Sequence, residues 1–262
     1  QMRFCDEYAA NQLGLSLESL VCNAASALRR ECLSMLRGTP KCIAILCGPG
    51  NNGADGFCLA KMLKDEGLHT ETIAVLGLSN LSSLSAVMAE RLGYDEITDA
   101  QKDMDAALKI IAESDIVVDC IFGTGFKDRH NTAVQAVMAA ASRRTVIAAD
   151  IPSGVMCDSG KAAAYAIKAV KTVTFAAYKP FCFLYPAKEH CGQIILADIG
   201  IPRRALSEAE PEMFALDDEI LDCIKKPSNN THKGSFGAVQ TVCGSSSMTG
   251  AAVLCADAAL HS

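Results

Sequence analysis

A glycine-rich turn constrains the fold of this chain more than any other feature. It reads Cys-Gly-Pro-Gly-Asn-Asn-Gly-Ala-Asp-Gly over residues 47–56, between a short apolar run and a helical pattern. A turn of this kind presents backbone N–H groups at the positive end of the helix, where anions bind. Its glycines permit positive φ and the close approach of a ligand to the chain. The turn predicts a site for a small polar ligand of the nucleotide type.

Strand-like and helix-like runs alternate along the chain. Apolar runs predict strands at residues 42–47, 72–76, 116–122, 145–149, 173–176 and 194–197. Periodic apolar residues predict helices at residues 16–36, 56–65, 82–92, 104–112 and 133–141. Continuous apolar strands separated by amphipathic helices indicate a sheet that is covered on both faces. The predicted fold class is therefore α/β, a Rossmann-like, doubly wound, mostly parallel sheet with helices on both faces.

Composition narrows the classes of function. With a formal net charge of -6, the chain lacks the basic face that nucleic-acid binding requires. No apolar run is as long as a membrane span, and the first residues lack the apolar core of a signal peptide. We therefore expect a cytoplasmic protein that binds neither nucleic acid nor membrane.

Cysteine is unusually frequent in this sequence. None of the thirteen cysteines forms a Cys-x-x-Cys pair, so the spacing does not favour a zinc site. We interpret the cysteines that lie in apolar runs as reduced, buried, small hydrophobic residues. Five cysteines belong to this group: Cys42, Cys47, Cys120, Cys182 and Cys243.

Polar residues follow the predicted strands at the points where the strands end. Asp119 comes after the apolar residues 116–118, and Asp150 comes after the apolar run that ends at residue 149, shortly before the turn at residues 152–154. Because ligands bind at the carboxyl ends of parallel strands, these residues should meet the glycine-rich turn at one edge of the sheet. The oxygen donors of Asn52, Asp119 and Ser153 suit a hard cation, a monovalent ion at least as well as magnesium. A structural role, in which Asp119 caps a neighbouring turn, is the alternative.

A charged cluster at residues 127–129 follows a second glycine turn at residues 123–125. The cluster is either a solvated turn or a loop that closes over the phosphates of a ligand. The first glycine-rich turn has neither the Gly-x-Gly-x-x-Gly spacing of dehydrogenases nor the Gly-Lys-Ser/Thr ending of a P-loop. Neither a simple dehydrogenase nor a nucleoside triphosphatase is supported.

Four motifs, taken in order, resemble those of the NAD(P)HX epimerase family. They are Gly-Pro-Gly-Asn-Asn-Gly-Ala-Asp-Gly from residue 48, Asp-Cys-Ile-Phe-Gly-Thr-Gly from 119, Asp-Ile-Pro-Ser-Gly from 150 and Ala-Asp-Ile-Gly-Ile-Pro from 197. The resemblance implies a Rossmann-like homodimer that interconverts the R and S epimers of hydrated NADH and NADPH. This dinucleotide substrate, NAD(P)HX, carries a hydroxyl at C6 of the nicotinamide ring. Cys22 departs from the family, which usually has an acidic residue there.

The resemblance also assigns roles by position. Asp150 corresponds to the carboxylate at the nicotinamide ring, and we expect it to act as the catalytic general acid and base. A potassium ion, one per subunit, is expected at Asn52, Asp119 and Ser153. The other expected substrate-binding residues fall in two loops: Asn51, Asn52, Gly53, Ala54 and Asp55 in the first, and Gly123, Thr124, Gly125, Phe126, Lys127, Asp128 and Arg129 in the second.

A second resemblance begins near the end of the sequence. His-Lys-Gly-Ser-Phe-Gly from residue 232 and Met-Thr-Gly-Ala-Ala-Val-Leu from 248 are similar to the opening of the ADP- or ATP-dependent NAD(P)HX dehydratase domain. We therefore predict an epimerase domain over residues 1–222 and the truncated start of a ribokinase-like dehydratase domain over 223–262. The expected full-length protein is bifunctional, and dehydratase activity is not expected from this piece.

Two other classes of function stay open at this point. The same fold occurs in non-catalytic relatives that serve as scaffolds or binding modules, including RNA-decapping and apolipoprotein-binding types. Such a module has no need of the cation ligands and the ring-facing aspartate, which this chain retains. A nucleotide-binding kinase that begins near residue 232 is the other alternative, and it leaves every motif before residue 226 unexplained.

Overall fold

The structure, a computed structural model, describes most of the chain. The described residues are 4, 5, 8, 9, 12, 14–36, 42–127, 131–216, 220, 229–232, 234, 235 and 237–261. The chain divides into two compact units, Gln1–Met213 and Phe214–Ser262. The predicted domain boundary between residues 222 and 223 lies outside the described residues.

The first unit is built on a parallel sheet. Its described strands are β1 (Ile43–Cys47), β2 (Thr70–Ala74), β3 (Ile97–Asp99), β4 (Ile116–Cys120), β5 (Thr145–Ala149), β6 (Lys171–Phe175) and β7 (Gln193–Ala197). They are ordered β3-β2-β1-β4-β5-β6-β7, and every pair of neighbours runs parallel. The predicted doubly wound α/β fold is confirmed. The winding reverses between β1 and β4, and ligands of such sheets bind at this switch point.

Helices cover both faces of the sheet. The described α-helices of this unit are α1 (Leu17–Met35), α2 (Asn51–Asp65), α3 (Ser83–Leu92), α4 (Met104–Glu113), α5 (Thr132–Ala141) and α6 (Arg203–Glu208). Short 3₁₀ turns lie at Leu78–Asn80, Tyr94–Glu96, Pro180–Cys182 and Ala187–His190. Four helices begin at a side-chain cap that accepts a backbone N–H bond, and the caps are Ser16, Ser82, Asp103 and Asn131. Helix α2 begins at Gly50 without a side-chain cap.

The two largest clusters of buried apolar residues lie one on each face of the sheet. In β1, Ile43 and Ile45 pack with α1, α2 and α3, whereas Ala44 and Leu46 pack with α4 and α5. Both sets of side chains are buried, because each strand has a helical layer on either face. This double coverage explains why the strands read as continuous apolar runs rather than alternating ones.

Two shifted boundaries and one strand that was not predicted have physical reasons. Helix α2 begins at Asn51, five residues earlier than predicted. The apolar periodicity does not reveal this start, because the first turns consist of small and polar residues rather than large apolar ones. Strand β3 has only three residues and lies at the sheet edge, so it has too few apolar positions to be recognised. Strand β4 ends at Cys120, since Ile121 and Phe122 already belong to the loop of the candidate site.

The second unit contains helix α7 (Thr249–His261), in which Leu254 and Leu260 are exposed. Cys243 in this unit is also exposed, so its predicted burial is wrong, and Cys42 is only half-buried. Cys47, Cys120 and Cys182 are buried as predicted. Throughout the described residues of both units, the helices are too short or too polar to cross a lipid bilayer.

Substitutions of two buried threonines measure how much an unpaired buried hydroxyl lowers the stability of the fold. Thr72 in β2 has no hydrogen-bond partner for Oγ1 among the described residues, whereas Thr172 in β6 donates to the carbonyl of Cys191 at 2.7 Å. We expect Thr72→Val to raise the free energy of unfolding by about 1 kcal/mol and Thr172→Val to lower it by about 1–2 kcal/mol. Urea unfolding followed by circular dichroism measures both changes. Changes of the same sign in the two variants would contradict this interpretation.

Candidate functional site

The glycine-rich turn brings α2 into contact with the sheet at its switch point. A Cβ atom at Gly48 would lie 1.8 Å from the carbonyl oxygen of Ile121, and one at Gly53 would lie 1.8 Å from that of Gly48. A Cβ atom at Gly56 would lie 2.7 Å from Sγ of Cys47. These glycines therefore allow the first turns of α2 to pack directly on the carboxyl ends of β1 and β4.

The glycines of this turn do not use the positive φ that glycine permits. None of its four glycines has positive φ, and Gly50, the residue before α2, has φ −92° and ψ −167°. The close approach predicted for these positions is an approach of the chain to itself. An added Cβ at Gly50 would meet no atom within 4 Å, so this glycine faces open space. Sequence alone does not distinguish a glycine that makes room for a ligand from one that makes room for backbone.

Asp119 lies inside β4 and is completely buried. Its carboxylate accepts hydrogen bonds from the backbone N–H of Ser153 at 2.7 Å, the Ser153 hydroxyl at 2.6 Å and the N–H of Ile121 at 3.2 Å. Burial raises the pKa of Asp119 to about 6, although these three hydrogen bonds act in the opposite direction. The carboxylate fixes the turn at Ser153, which is the structural role considered above, and it is also a buried negative charge with no cation beside it among the described residues.

Asn52 reaches the same place from the first turn of α2. Its Nδ2 donates to the carbonyl of Phe122 at 3.0 Å, and the N–H of Phe122 donates to the Ser153 hydroxyl at 3.0 Å. The Oδ1 atom of Asn52 is buried and has no hydrogen-bond partner in the described part of the chain. The three predicted cation ligands, Asn52, Asp119 and Ser153, are thus joined through the backbone of Phe122.

Asp150 follows β5 in a strained backbone conformation. Its φ is 62°, a left-handed value that is rare outside glycine, and the N–H of Ile151 donates back to the carbonyl of Ala149 at 2.7 Å. Its Oδ1 accepts a hydrogen bond from Nζ of Lys179 at 2.6 Å. The side chains are only 15% and 5% exposed, respectively, so this ion pair is largely screened from water. Strain of this kind concentrates at functional sites.

Lys179 is a candidate functional residue that lies outside the four sequence motifs and was therefore not predicted. Besides Asp150, its Nζ donates to the hydroxyl of Thr174 at 2.9 Å and to the carbonyl of Phe175 at 2.8 Å, which uses all three N–H groups. A lysine is almost never buried unless it is paired. One feature of the sequence does point to Lys179: it is the one charged residue in the otherwise uncharged segment between Val173 and Leu184.

The second predicted loop places Asp150 beside Asn52. A Cβ atom at Gly123 would lie 3.6 Å from both the Cβ of Asn52 and the Oδ2 of Asp150. A turn closed by the N–H of Phe126 and the carbonyl of Gly123, 3.1 Å apart, continues this loop. Phe126 packs against Phe122 with ring centroids 5.2 Å apart. Thr124, Gly125 and Lys127 are exposed, and Asp128 and Arg129 lie outside the described residues.

A pocket opens beside the Asp150–Lys179 ion pair. Its polar lining residues are Asn51, Asp55, Asp150 and Lys179. Its apolar wall is formed by Leu17, Leu20, Val21 and Ala24 of α1, together with Leu84, Phe175 and Ile199. Gly53 and Ala54 of the first predicted loop are buried, and Ala54 belongs to the core, so its side chain does not face this pocket.

A second hollow lies along the second predicted loop. Thr124, Phe126 and Lys127 form one side of it, and residues 156–159 form the other. The glycine turn at residues 123–125 predicts the first side, whereas no motif in the sequence predicts the second. Six of the predicted substrate-binding residues therefore line the two hollows. Asn51, Asp55 and Asp150 line the first, which contains the ion pair, and Thr124, Phe126 and Lys127 line the second.

The sequence matches the family described as "YjeF-related protein N-terminus" over residues 17–181. It is 32% identical to the bifunctional NAD(P)H-hydrate repair enzyme Nnr of Thermofilum pendens, a match that covers 97% of this chain and 49% of that protein. It is 31% identical to the NAD(P)H-hydrate epimerase of Pirellula staleyi, covering 79% of this chain and 93% of that protein. The chain spans about half the length of the bifunctional relatives that it matches.

Among solved structures, the fold is similar to that of the yeast protein ynu0, with a TM-score of 0.65. The alignment covers 83% of this chain and 93% of the yeast protein, at 21% sequence identity. At this identity the similarity concerns the fold alone.

Two alanine substitutions distinguish the glycines that are required for packing from Gly50, where a side chain has room. Gly53→Ala should lower the free energy of unfolding by at least about 2 kcal/mol, because the new Cβ overlaps a backbone oxygen that cannot move aside. Gly50→Ala should change it by less than about 1 kcal/mol, because the position is open and its φ suits alanine. Thermal or urea unfolding measures both. A Gly50→Ala variant as unstable as Gly53→Ala would contradict the packing described for α2.

Proposed function

The chain belongs to the family of YjeF-related protein N-termini, and we propose that it is an NAD(P)H-hydrate epimerase acting on the R and S forms of hydrated NADH and NADPH. Relatives that carry the epimerase name match it over 93% of their own length. The observation that carries the proposal within this chain is the strained, largely buried Asp150–Lys179 pair in the wall of a pocket. A scaffold has no need of such a pair, whereas proton transfer at a bound ring does.

Epimerisation at C6 requires the transfer of one proton between the hydroxyl oxygen and the ring nitrogen. Carbon C6 of the hydrated nicotinamide ring carries both a hydroxyl and the ring nitrogen. If the C6–N bond breaks, the hydroxyl loses its proton and becomes a carbonyl, and the nitrogen gains a proton. Closure on the other face of the carbonyl reverses the proton transfer and gives the other epimer. A single carboxylate can accept the proton from oxygen and return it to nitrogen, so we assign this role to Asp150.

The two oxygens of Asp150 have different surroundings. Oδ1 faces Lys179, with Thr174 Oγ1 and the N–H of Phe175 each 3.5 Å away. Oδ2 lies toward Gly123, and no described residue donates a hydrogen bond to it. We assign the proton transfer to Oδ2 because Oδ1 is occupied by the ion pair. Lys179 is a positioning residue in this scheme, since its three N–H groups are already used within the protein.

A potassium ion suits the cluster of Asn52, Asp119 and Ser153. The buried, unpaired Oδ1 of Asn52 offers a lone pair, and Asp119 offers a buried charge that lacks a counterion among the described residues. The donors are oxygen atoms and carry one formal charge, which fits a large monovalent cation. When bound, the ion would neutralise the Asp119 carboxylate and fix the loop around Phe122. No proton transfer in the scheme passes through it.

We propose that the charged loop at residues 127–129 binds the phosphates of the dinucleotide. Lys127 is exposed and lines the second hollow together with Thr124. We propose that the bound dinucleotide extends from the ion-pair pocket towards this hollow. We propose that Asp128 and Arg129, outside the described residues, complete this binding loop. The nicotinamide end would then occupy the ion-pair pocket.

Three further proposals concern the whole protein. The bifunctional relatives support a longer chain in which a dehydratase domain follows the epimerase. We propose a homodimer, and an exposed apolar surface on the first unit is a candidate subunit contact: Tyr178, Phe183, Leu184 and Tyr185. We also propose a cytoplasmic location, because the twelve described cysteines are all free thiols.

Conservative substitutions in the ion pair test the proposed mechanism. Asp150→Asn should lower kcat by at least about a hundredfold and change KM by less than about threefold, because an amide cannot carry the proton. Lys179→Met should also lower kcat, because Asp150 loses the group that holds Oδ1. Chromatographic separation of the two epimers, starting from one purified form, measures the rate.

Asp65→Asn is the matched control for these variants. Asp65 is an exposed carboxylate at the last turn of α2, and its partner is the exposed Lys61. This variant should epimerise the substrate at the wild-type rate. Wild-type kcat in a folded Asp150→Asn protein would remove Asp150 from the mechanism.

Potassium should stabilise the folded protein. At equal ionic strength, potassium chloride should raise the melting temperature by about 3–5 °C over choline chloride, because the ion binds only the folded state. Asn52→Ala should lose most of this response, and Asn80→Ala, a change at an exposed amide, should keep it. Differential scanning calorimetry measures the shift. An identical potassium response in the Asn52→Ala variant would place the ion elsewhere.

A further inference from the structure

Two cysteines face each other across the interface between α1 and α2. The Sγ of Cys58 lies 3.8 Å from the Sγ of Cys22 and donates a weak hydrogen bond to it. Cys58 is 8% exposed and Cys22 is half-buried, so the pair is reached from solvent on the Cys22 side. A disulfide requires the sulfurs to approach by a further distance of about 1.8 Å, which a side-chain rotation can supply.

Both cysteines belong to helices that form the walls of the ion-pair pocket. Cys22 directly follows Val21, which lines the apolar wall on α1. Cys58 comes one helical turn after Asp55, which lines the polar wall on α2. A covalent bond between these helices would therefore fix the two walls of the pocket relative to one another.

The surroundings of the pair distinguish the two thiols. Arg91 of α3 is close enough to interact electrostatically with both sulfurs, and its guanidinium is held by Glu18 of α1. Burial raises the pKa of Cys58 to about 12, with Cys22 and Asp55 adding to the shift and Arg91 opposing it. The more exposed Cys22 is therefore the thiol that meets an oxidant first, and Cys58 is the resolving thiol.

We propose that Cys22 and Cys58 form a reversible disulfide on exposure to hydrogen peroxide, and that this bond lowers turnover by locking the pocket walls. The thiolate of Cys22 attacks one oxygen of the peroxide, which breaks the O–O bond and gives a sulfenic acid and, after protonation, water. The sulfur of Cys58 then attacks the sulfenic sulfur, an S–S bond forms, and a second water leaves. Two thiols are oxidised and one peroxide is reduced. The effect on turnover rests on the proposed function, whereas the bond itself does not.

Other cysteines in the described chain supply the controls. Cys47 and Cys120 also approach a common point, Gly56, but both are completely buried and a peroxide does not reach them. Cys243 and Cys255 in the second unit are exposed, and a hydrogen bond between their thiols shows that they are neighbours. They would be oxidised as well, so the experiment uses the Cys243→Ser/Cys255→Ser background.

The first measurement is peptide mapping under non-reducing conditions after peroxide treatment and alkylation of free thiols. We expect a cross-linked peptide pair containing Cys22 and Cys58, lighter by two hydrogens than the sum of its parts. It should be absent after dithiothreitol treatment and in a Cys22→Ser variant. Recovery of both cysteines as alkylated thiols or as higher oxides would overturn the disulfide, whether or not the protein is an epimerase.

The second measurement is the epimerisation rate of the same samples. Oxidation should lower kcat/KM by at least about fivefold, because small displacements at a pocket wall disturb the alignment of the reacting groups. Dithiothreitol should restore the rate. The Cys22→Ser and Cys58→Ser variants should keep the rate of the reduced protein and resist peroxide. A cross-linked sample with an unchanged rate would overturn the regulatory role, and an inactive reduced protein would instead refute the proposed function.

Discussion

The close packing of α2 on the carboxyl ends of β1 and β4 is the constraint on which the candidate site depends. Without side chains at Gly48, Gly53 and Gly56, backbone and sulfur atoms of neighbouring segments come into direct contact. This contact sets the first turn of α2 at the point where the winding of the sheet reverses. Asn52 then reaches the carbonyl of Phe122, and the loop that follows β4 is held between α2 and the Ser153 turn.

Two buried carboxylates, Asp119 and Asp150, lie around this loop, and they differ in whether a positively charged side chain is paired with them. Among the described residues, Asp119 has only hydrogen-bond donors beside it, so its burial as a carboxylate is energetically costly unless a cation or a proton neutralises it. Asp150 has an ammonium group of its own, and the backbone strain at Asp150 is maintained by its surroundings. We therefore propose that Asp119 binds an ion, whereas Asp150 is held in a fixed position and transfers a proton.

Much of this arrangement could be predicted from the sequence. Apolar runs separated by helical periodicity give the sheet and its parallel strands, and polar residues at strand ends give Asn52, Asp119, Asp150 and Ser153. The three cation candidates are joined through one backbone unit, as the strand-end argument expects. Other features depend on contacts between distant segments, which no local pattern encodes. The conformation of the glycines and the pairing of Lys179 with Asp150 belong to this second kind, because each is decided by an element far away in sequence.

The central claim is that one pocket at the switch point inverts the hydrated ring of a nicotinamide cofactor. The most direct test supplies a mixture of R and S hydrated NADH to the purified protein, together with a dehydratase specific for the S form, with potassium present. If the protein is an epimerase, both forms are consumed completely, because the R form is converted as the S form is removed. A remainder of R form that persists at high protein concentration would contradict the account and favour a binding module of the same fold.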